Sequence, residues 1–315
     1  MTSTTNFGVN FGTNFGIVGL GKMGGNMARR LQRQGKTLAV LDQDAALTQA
    51  IAAETDSIAA SSLADMVQRL ATPRVLWLML PSGEITENAL SELQKLCSTG
   101  DTIVDGGNSN YHDSVRRAAA TEALGLQYLD AGVSGGIHGL ANGYCLMVGG
   151  SDAAFVAVKP YIQALAAAPD TGWLHVGPAG SGHYTKMVHN GIEYGMMAAL
   201  AEGLALMQAK KEFDIDLADV TELWRHGSVV RSWLLDLTAT VLQSDQTLSD
   251  IAAVVPDSGE GRWTAVESVD LGVPTPVMTM ALMSRFASQG KDDYASKLLA
   301  KMRQGFGGHA VTASK

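Results

Sequence analysis

Cysteine is almost missing from this chain. Cys97 and Cys145 are the only two in 315 residues, they lie far apart, and neither belongs to a spaced ligand pattern. A disulfide framework and a thiolate metal centre are thereby excluded, and a reducing, cytoplasmic setting is the natural reading. Charge is scarce as well, at 17% of residues against roughly 25% in an ordinary soluble domain. Basic residues number 23 against 31 acidic ones, for a net charge of −8. Nucleic-acid binding needs a basic face, so that class is excluded, and an anionic ligand must be met by locally clustered Arg and Lys. No apolar run approaches the about 18 residues of a membrane span. The polar amino terminus lacks the charged-then-apolar pattern of a secretion signal. No His, Asp and Glu residues fall at metal-ligand spacing, so no metal is required.

What the chain does have is glycine, 35 of them, within a composition that is 46% hydrophobic. Its length allows two domains with a sizeable core, and so little charge fits a protein that also buries surface between subunits. Asn6-Phe7-Gly8, Asn10-Phe11-Gly12 and Asn14-Phe15-Gly16 repeat with a period of four, and only the third leads into an apolar strand. Residues 1–13 therefore read as a flexible leader.

From residue 14 to about 179, short apolar runs alternate with amphipathic stretches. Phe15–Gly19, Thr37–Asp42, Val75–Leu80, Thr102–Asp105 and Gln127–Ala131 read as strands, with helices such as Met23–Gln34, Ile85–Leu96 and Asp113–Leu124 between them. Tyr144–Val148 and Trp173–Val176 add edge strands around a helix over 153–168. Such alternation predicts an α/β domain, a doubly wound parallel sheet of Rossmann type. Gly177-Pro178-Ala179-Gly180-Ser181-Gly182 breaks the pattern. Residues 180–315 then read as an all-α domain, with helices over 184–211, 217–224, 232–242, from near Trp263, and 276–288. That domain is too small to look self-sufficient, and another subunit is expected to complete its core.

The first strand runs into Gly19-Leu20-Gly21-Lys22-Met23-Gly24, which opens the first helix. Glycines at this spacing allow a tight turn and bring backbone N–H groups up to a pyrophosphate. Asp42 closes the second strand 18 positions after Gly24, close to where a carboxylate accepts from ribose hydroxyls. Asp42-Gln43-Asp44 repels a 2′-phosphate and offers no adjoining Arg to receive one, so NAD is favoured over NADP. Arg29, Arg30 and Arg33 on the preceding helix could soften that preference.

The chemistry concentrates in Lys186-Met187-Val188-His189-Asn190-Gly191-Ile192-Glu193-Tyr194. In a helix, Lys186, His189, Asn190 and Glu193 project from one face. Flanking apolar and small residues predict a mostly buried helix, whose polar groups must be paired or must line a site. The plain alternative is a satisfied polar seam between helices. Asp105-Gly106-Gly107-Asn108-Ser109 and Gly132-Val133-Ser134-Gly135-Gly136 sit at strand carboxyl ends, where open α/β sheets bind ligands, although each alone could be a simple glycine turn.

Together these segments resemble the β-hydroxyacid dehydrogenases, and most closely the decarboxylating 6-phosphogluconate branch. The matching pieces are residues 19–24, 105–111 with Arg116-Arg117, 132–139, 143–150, 182–194, 259–265, 272–274 and 306–309. The resemblance implies oxidation of 6-phosphogluconate at C3 with hydride transfer to the nicotinamide, then loss of CO2. It implies that Lys186 is the base for the 3-hydroxyl and that Glu193 protonates C1 of the enediol. By the same resemblance, Asn108, Ser134, Gly135, Gly136, His189 and Asn190 hold the carboxylate and hydroxyls. Tyr194, Arg262, Arg285, Arg303 and His309 hold the phosphate. Gly19, Leu20, Gly21, Lys22, Met23, Gly24, Asp42, Gln43 and Asn108 contact the cofactor. Long members carry a duplicated helical half, and this chain has room for one copy, so it resembles the short form, a homodimer or homotetramer built through its helical domain. Long members also show Asn-Arg-Thr where this chain has Asp42-Gln43-Asp44, which fits NAD. One rival is a dehydrogenase of a small unphosphorylated acid such as 3-hydroxyisobutyrate. Another is a non-catalytic NAD-sensing module, which would leave the Lys186 face idle.

Overall fold

The structure, a computed structural model, describes residues 12–312. Most of the leader lies outside the described residues. The chain divides into two compact units, one ending at Lys186 and the other beginning at Met187.

The first unit runs β1 (Phe15–Val18), α1 (Lys22–Arg33), β2 (Ala39–Leu41), α2 (Ala45–Thr55), β3 (Ile58–Ala59), α3 (Leu63–Arg69), β4 (Val75–Leu78), α4 (Glu84–Leu96), β5 (Thr102–Asp105), α5 (Tyr111–Glu122), β6 (Gln127–Ser134), α6 (Gly139–Asn142), β7 (Cys145–Gly150), α7 (Asp152–Leu165) and β8 (Trp173–Gly177). The strands form one sheet in the order β3-β2-β1-β4-β5-β6-β7-β8. Side chains along each strand alternate between two cores. Phe15, Ile17, Val40 and Trp77 meet Met27 and Leu31 of α1 and Val158 of α7. Val18, Leu41, Leu76 and Leu78 meet Met66 of α3, Leu93 of α4 and Ala118 of α5. Helices thus cover both faces, as the doubly wound reading expects. The order reverses about β1 and β4, which opens a crevice at the strands' carboxyl ends.

One pairing departs from a purely parallel sheet. β7 runs antiparallel to β6, with Ser134 opposite Cys145, while β8 is parallel to β7. The link from β6 to β7 holds only a 3-10 turn (Gly136–His138) and the four residues of α6, too little for a crossover back along the sheet, so the chain returns beside the strand it left.

The second unit continues α8 (Ser181–Ala209), which starts in the first, and adds α9 (Leu217–Trp224), α10 (Trp233–Ser244), α11 (Glu260–Asp270), α12 (Pro276–Ser288) and α13 (Asp293–Gly307). It is helical throughout, as its sequence pattern requires. One of its features differs from expectation. α8 is not mostly buried, since Ile192, Met196 and Met197 are all more than 40% exposed. Residues from Arg303 to Gly307 form the end of α13.

Candidate functional site

α2, α3, α5 and α7 each start on a Ser, Asp or Asn whose side chain accepts a backbone N–H. α1 starts on Gly21 and has no side-chain cap, so its first N–H groups and the positive end of its dipole face outward from the turn. A Cβ at Gly24 would collide with the carbonyl of Gly19, whereas one at Gly21 would meet nothing within 4 Å. The turn is therefore closed on itself and open towards solvent, which fits a pyrophosphate. Asp42 turns back onto it, accepting from the Leu20 N–H at 2.6 Å and the Asp44 N–H at 3.0 Å. Lys22 and Gln43 are exposed and Met23 half-buried beside it. A cleft of about 330 Å³ lies against the turn, walled by Leu20, Gly21 and Lys22 with Leu47, Ile51 and Ile137. Of the three α1 arginines, Arg29 and Arg30 are engaged elsewhere, and Arg33 is exposed. Arg29 is paired with Glu54 at 2.7 Å, and that contact raises the arginine and lowers the carboxyl from their ordinary pKa values. Arg30 is buried, donating to the carbonyls of Leu165 and Ala166.

At the end of β5, the buried Asp105 organises the loop that carries Asn108. Its carboxylate accepts from the Gly107 N–H at 3.2 Å, the Ser109 hydroxyl at 2.9 Å and Arg117 Nη1 at 2.7 Å. Both members of the ion pair are 1% exposed, and Arg117 also holds Glu87 at 2.8 Å. Glu87 lies below the ordinary carboxyl range, chiefly through its hydrogen bond to Arg116. Arg117→Met should strand Asp105 as a buried carboxylate without its counter-charge, a loss of about 3–5 kcal/mol for a broken buried pair. Urea unfolding of the variant measures this, and unchanged stability would show the pair to be dispensable.

Lys186 is set by close packing. A side chain at Gly132 would collide with the Cβ of Lys186, and one at Gly182 would lie 2.5 Å from the carbonyls of Asp130 and Met147. β6 and the first turns of α8 therefore touch backbone to backbone. Asp130, fully buried on β6, accepts from the N–H groups of Gly180 and His183 at 2.6 and 2.7 Å. A carboxylate from a strand thus does the work of an N-cap, at the helix end where a negative charge is favoured. Lys186 acts on Cys145, whose thiol is raised by burial and pulled back by the nearby ammonium. Since Cys145 stands opposite Ser134, Lys186 and Ser134 share one end of the sheet. Gly135 and Gly136, at φ +129° and +52°, then turn the chain through conformations that favour glycine.

In the second unit, His189 Nδ1 lies 3.0 Å from Asn190 Oδ1 and 3.9 Å from Glu193 Oε2, all half-exposed on α8. The Arg285 guanidinium carbon lies over Tyr194, 3.4 Å from the ring centroid. The Tyr194 hydroxyl pairs with Ser258 Oγ at 3.1 Å, and that hydroxyl donates to Glu260 at 2.6 Å. Arg262 is held by Asp257 at 2.8 Å and faces Phe286. The Arg262 contact helps to keep Asp257 below its ordinary pKa against the opposing effect of burial. Tyr194, Arg262 and Arg285 are thus brought into one cluster. Arg303 is exposed on α13 with His309 beyond it, and no hydrogen bond joins Arg303 to that cluster among the described residues. The Phe306 side chain lies outside what is described.

Sequence reasoning passed over Asp130, Asp257 and Ser258. A charged residue inside the apolar run Tyr128-Leu129-Asp130-Ala131 was the available sign for the first. Nothing marked the other two beyond their place before Gly259. Among the described residues no group of three His, Cys, Asp or Glu could hold a metal ion, and no helix is long and apolar enough to cross a membrane.

Comparison with known proteins covers nearly the whole chain. Residues 14–177 match the family model of the NAD binding domain of 6-phosphogluconate dehydrogenase, and residues 182–312 match its C-terminal domain. An NAD(+)-dependent, decarboxylating 6-phosphogluconate dehydrogenase of Haloferax volcanii is 40% identical over 299 residues, 94% of this chain and 97% of that protein. A decarboxylating 6-phosphogluconate dehydrogenase of Synechococcus elongatus is 37% identical across 90% of this chain, which spans only 64% of that longer protein. Among solved structures, the 6-phosphogluconate dehydrogenase of Plasmodium falciparum superposes with a TM-score of 0.82 at 29% identity, over 96% of this chain and 66% of that one.

Proposed function

This chain belongs to the 6-phosphogluconate dehydrogenase family, and from that premise we propose that it converts 6-phosphogluconate to ribulose 5-phosphate and CO2, with NAD as the preferred acceptor. The observation that carries the reading is the packing of Lys186 against Gly132, two residues before Ser134. A base is held there by backbone contact at the carboxyl end of an α/β sheet. The nicotinamide dinucleotide, when bound, accepts the hydride. The chain does the rest. Gly19, Leu20, Gly21, Lys22, Met23 and Gly24 cradle the phosphates, and Asp42 with Gln43 receives the ribose hydroxyls. Asn108, Ser134, Gly135, Gly136, His189 and Asn190 hold the carboxylate and hydroxyls of the sugar acid. Lys186 takes the proton of the 3-hydroxyl and returns one to the ketone oxygen as CO2 leaves. Glu193 then delivers a proton to C1. Tyr194, Arg262, Arg285, Arg303 and His309 bind the phosphate.

A small unphosphorylated acid would leave Glu193 and the stacked Arg285–Tyr194 pair without a task, which disfavours a 3-hydroxyisobutyrate dehydrogenase. A non-catalytic NAD sensor would leave Lys186 idle. Release of CO2 with NADH from 6-phosphogluconate, assayed beside 3-hydroxyisobutyrate, separates the three. Turnover of the smaller acid alone would overturn the proposal.

NAD preference rests on the Asp42 carboxylate and on the engagement of Arg29 and Arg30 elsewhere. Asp42→Ala should lower kcat/KM with NAD by roughly 10- to 100-fold, the worth of a hydrogen bond to a charged group. It should move the ratio towards NADP, further so with Gln43→Arg. A wild-type preference for NADP would contradict this assignment.

The enzyme works as a cytoplasmic homodimer or homotetramer. The residues of α13 whose burial is described are all exposed, Tyr294 by 79%, and Val269 on α11 is 78% exposed. Apolar surface on this scale in a helical unit asks for a second subunit.

A further inference from the structure

Beneath the sheet end that carries Asn108 and Lys186 runs a line of buried polar groups for which the reaction gives no role. It starts at Asp105, whose carboxylate holds the Asn108 loop and lies 3.4 Å from the Tyr128 hydroxyl. Tyr128 is fully buried, and the Ser114 hydroxyl is close enough to its own to oppose the upward push of burial on the phenol. Ser114, also fully buried, places its Oγ 2.7 Å from His183 Nδ1 and 3.3 Å from the carbonyl of Asn110. His183 is 2% exposed, and its Nε2 has no hydrogen-bond partner among the described residues. It is the third residue of α8, and Lys186 follows three positions later on the same side of the helix. The line therefore joins the two loops and helices that present the sugar-acid ligands.

Burying a serine, a tyrosine and a histidine is costly unless their contacts are useful. An apolar trio would fill the same volume at less cost. The cost makes sense if the bond has a direction to enforce. The Asp130 clamp and the glycine contact at residue 132 fix how deep α8 sits on β6, but a helix seated on glycines can still rotate about its own axis. A directed bond from α5 to the third residue stops that rotation.

We propose that Ser114 and His183 are positioning residues, which set the rotation of α8 and so aim Lys186 at the substrate held by Asn108 and Ser134. The proposal rests on Lys186 being the base of the assigned reaction. His183 is not itself a catalytic residue, because its Nδ1 is spent on Ser114 and its Nε2 is enclosed.

Three variants test it. An Asn side chain puts its amide where imidazole Nδ1 sits, whereas Gln reaches towards Nε2. Ser114→Ala and His183→Gln should each lower kcat roughly 10- to 100-fold, the scale on which small misplacements of a reacting group are felt. Their KM for 6-phosphogluconate and their Kd for NAD should stay within about threefold of wild type, since the ligand-binding groups are untouched. His183→Asn should recover most of the lost rate. Wild-type kcat in Ser114→Ala, or better rescue by Gln than by Asn, would overturn the proposal, as would parallel losses in kcat, NAD binding and Tm. Should the His183 variants fail to fold, Ser114→Ala decides alone.

A second readout needs no turnover. Reductive methylation with formaldehyde, followed by peptide mass spectrometry, reports the reactivity of Lys186 relative to Lys95 on α4. Ser114→Ala should change that ratio severalfold, and an unchanged ratio counts against the proposal. If wild type produces no NADH from 6-phosphogluconate, the functional assignment falls, and the labelling ratio alone decides whether the pair orients Lys186.

Discussion

Lys186→Met should lose roughly 10² to 10⁴ of kcat while still binding both ligands, the range spanned by general acid–base groups. The size follows from what the ammonium is asked to do. It must lose its proton before the 3-hydroxyl can be deprotonated, and it must hold one again as CO2 departs. A methionine fills a similar volume beside Gly132 and can do neither. Since the loss concerns the transition state more than the bound substrate, kcat should fall much further than KM changes. Retention of more than about a tenth of wild-type kcat would remove Lys186 from the role of base. Glu193→Gln offers the complementary case. With it, protonation at C1 should suffer while substrate still binds, and CO2 release compared with ribulose 5-phosphate formation shows which step has slowed.

How far such features can be read from sequence depends on whether the deciding contact is local. The alternation of Phe15 with Gly16 and Ile17 with Val18 exposes the sheet, because each strand residue chooses a face by parity alone. The turn at Gly19–Gly24 and the face shared by Lys186, His189, Asn190 and Glu193 are equally local. α2 was passed over. Its Ala45, Ala46, Ala50, Ala52 and Ala53 spread small apolar groups around the helix and leave no stripe to detect. The direction of β7 depended on how little helix the 135–144 link contains, which sets a distance rather than a pattern. The engagement of Arg29 by Glu54 and the burial of Arg30 are tertiary facts, 25 and more than 130 residues removed in sequence. The same holds for Asp130 capping α8 and Ser114 meeting His183. In the helical unit α13 was passed over too, although Tyr294, Leu298 and Met302 recur at helical spacing, and nothing in one chain says what they pack against.

That unanswered packing is where truncation should show its largest effect. Deleting residues from Met302 onward removes the end of α13, with Arg303, and His309 beyond it. The KM for 6-phosphogluconate should then rise roughly 100-fold or more, since two charge-assisted contacts to the phosphate are lost. NAD affinity should stay nearly unchanged, because the turn at Gly19–Gly24 and Asp42 lie wholly in the first unit. Chain ends rich in glycine are more often solvated than bound, and an unchanged KM would return the tail to that ordinary role. The expected result follows from the proposed function, in which α13, exposed along its described residues, carries Arg303 and His309 to the active site of a neighbouring subunit. Mixed oligomers distinguish the two routes. Subunits lacking the tail keep Lys186, and Lys186→Met subunits keep the tail. If the tail acts across the interface, a mixed pair rebuilds one complete site, and partial activity returns at a substrate concentration where each parent alone is nearly silent. If the tail serves its own chain, every site in the mixture lacks either the base or the phosphate ligands. Mixed assembly, verified by native mass spectrometry and still without activity, therefore assigns the tail to its own subunit.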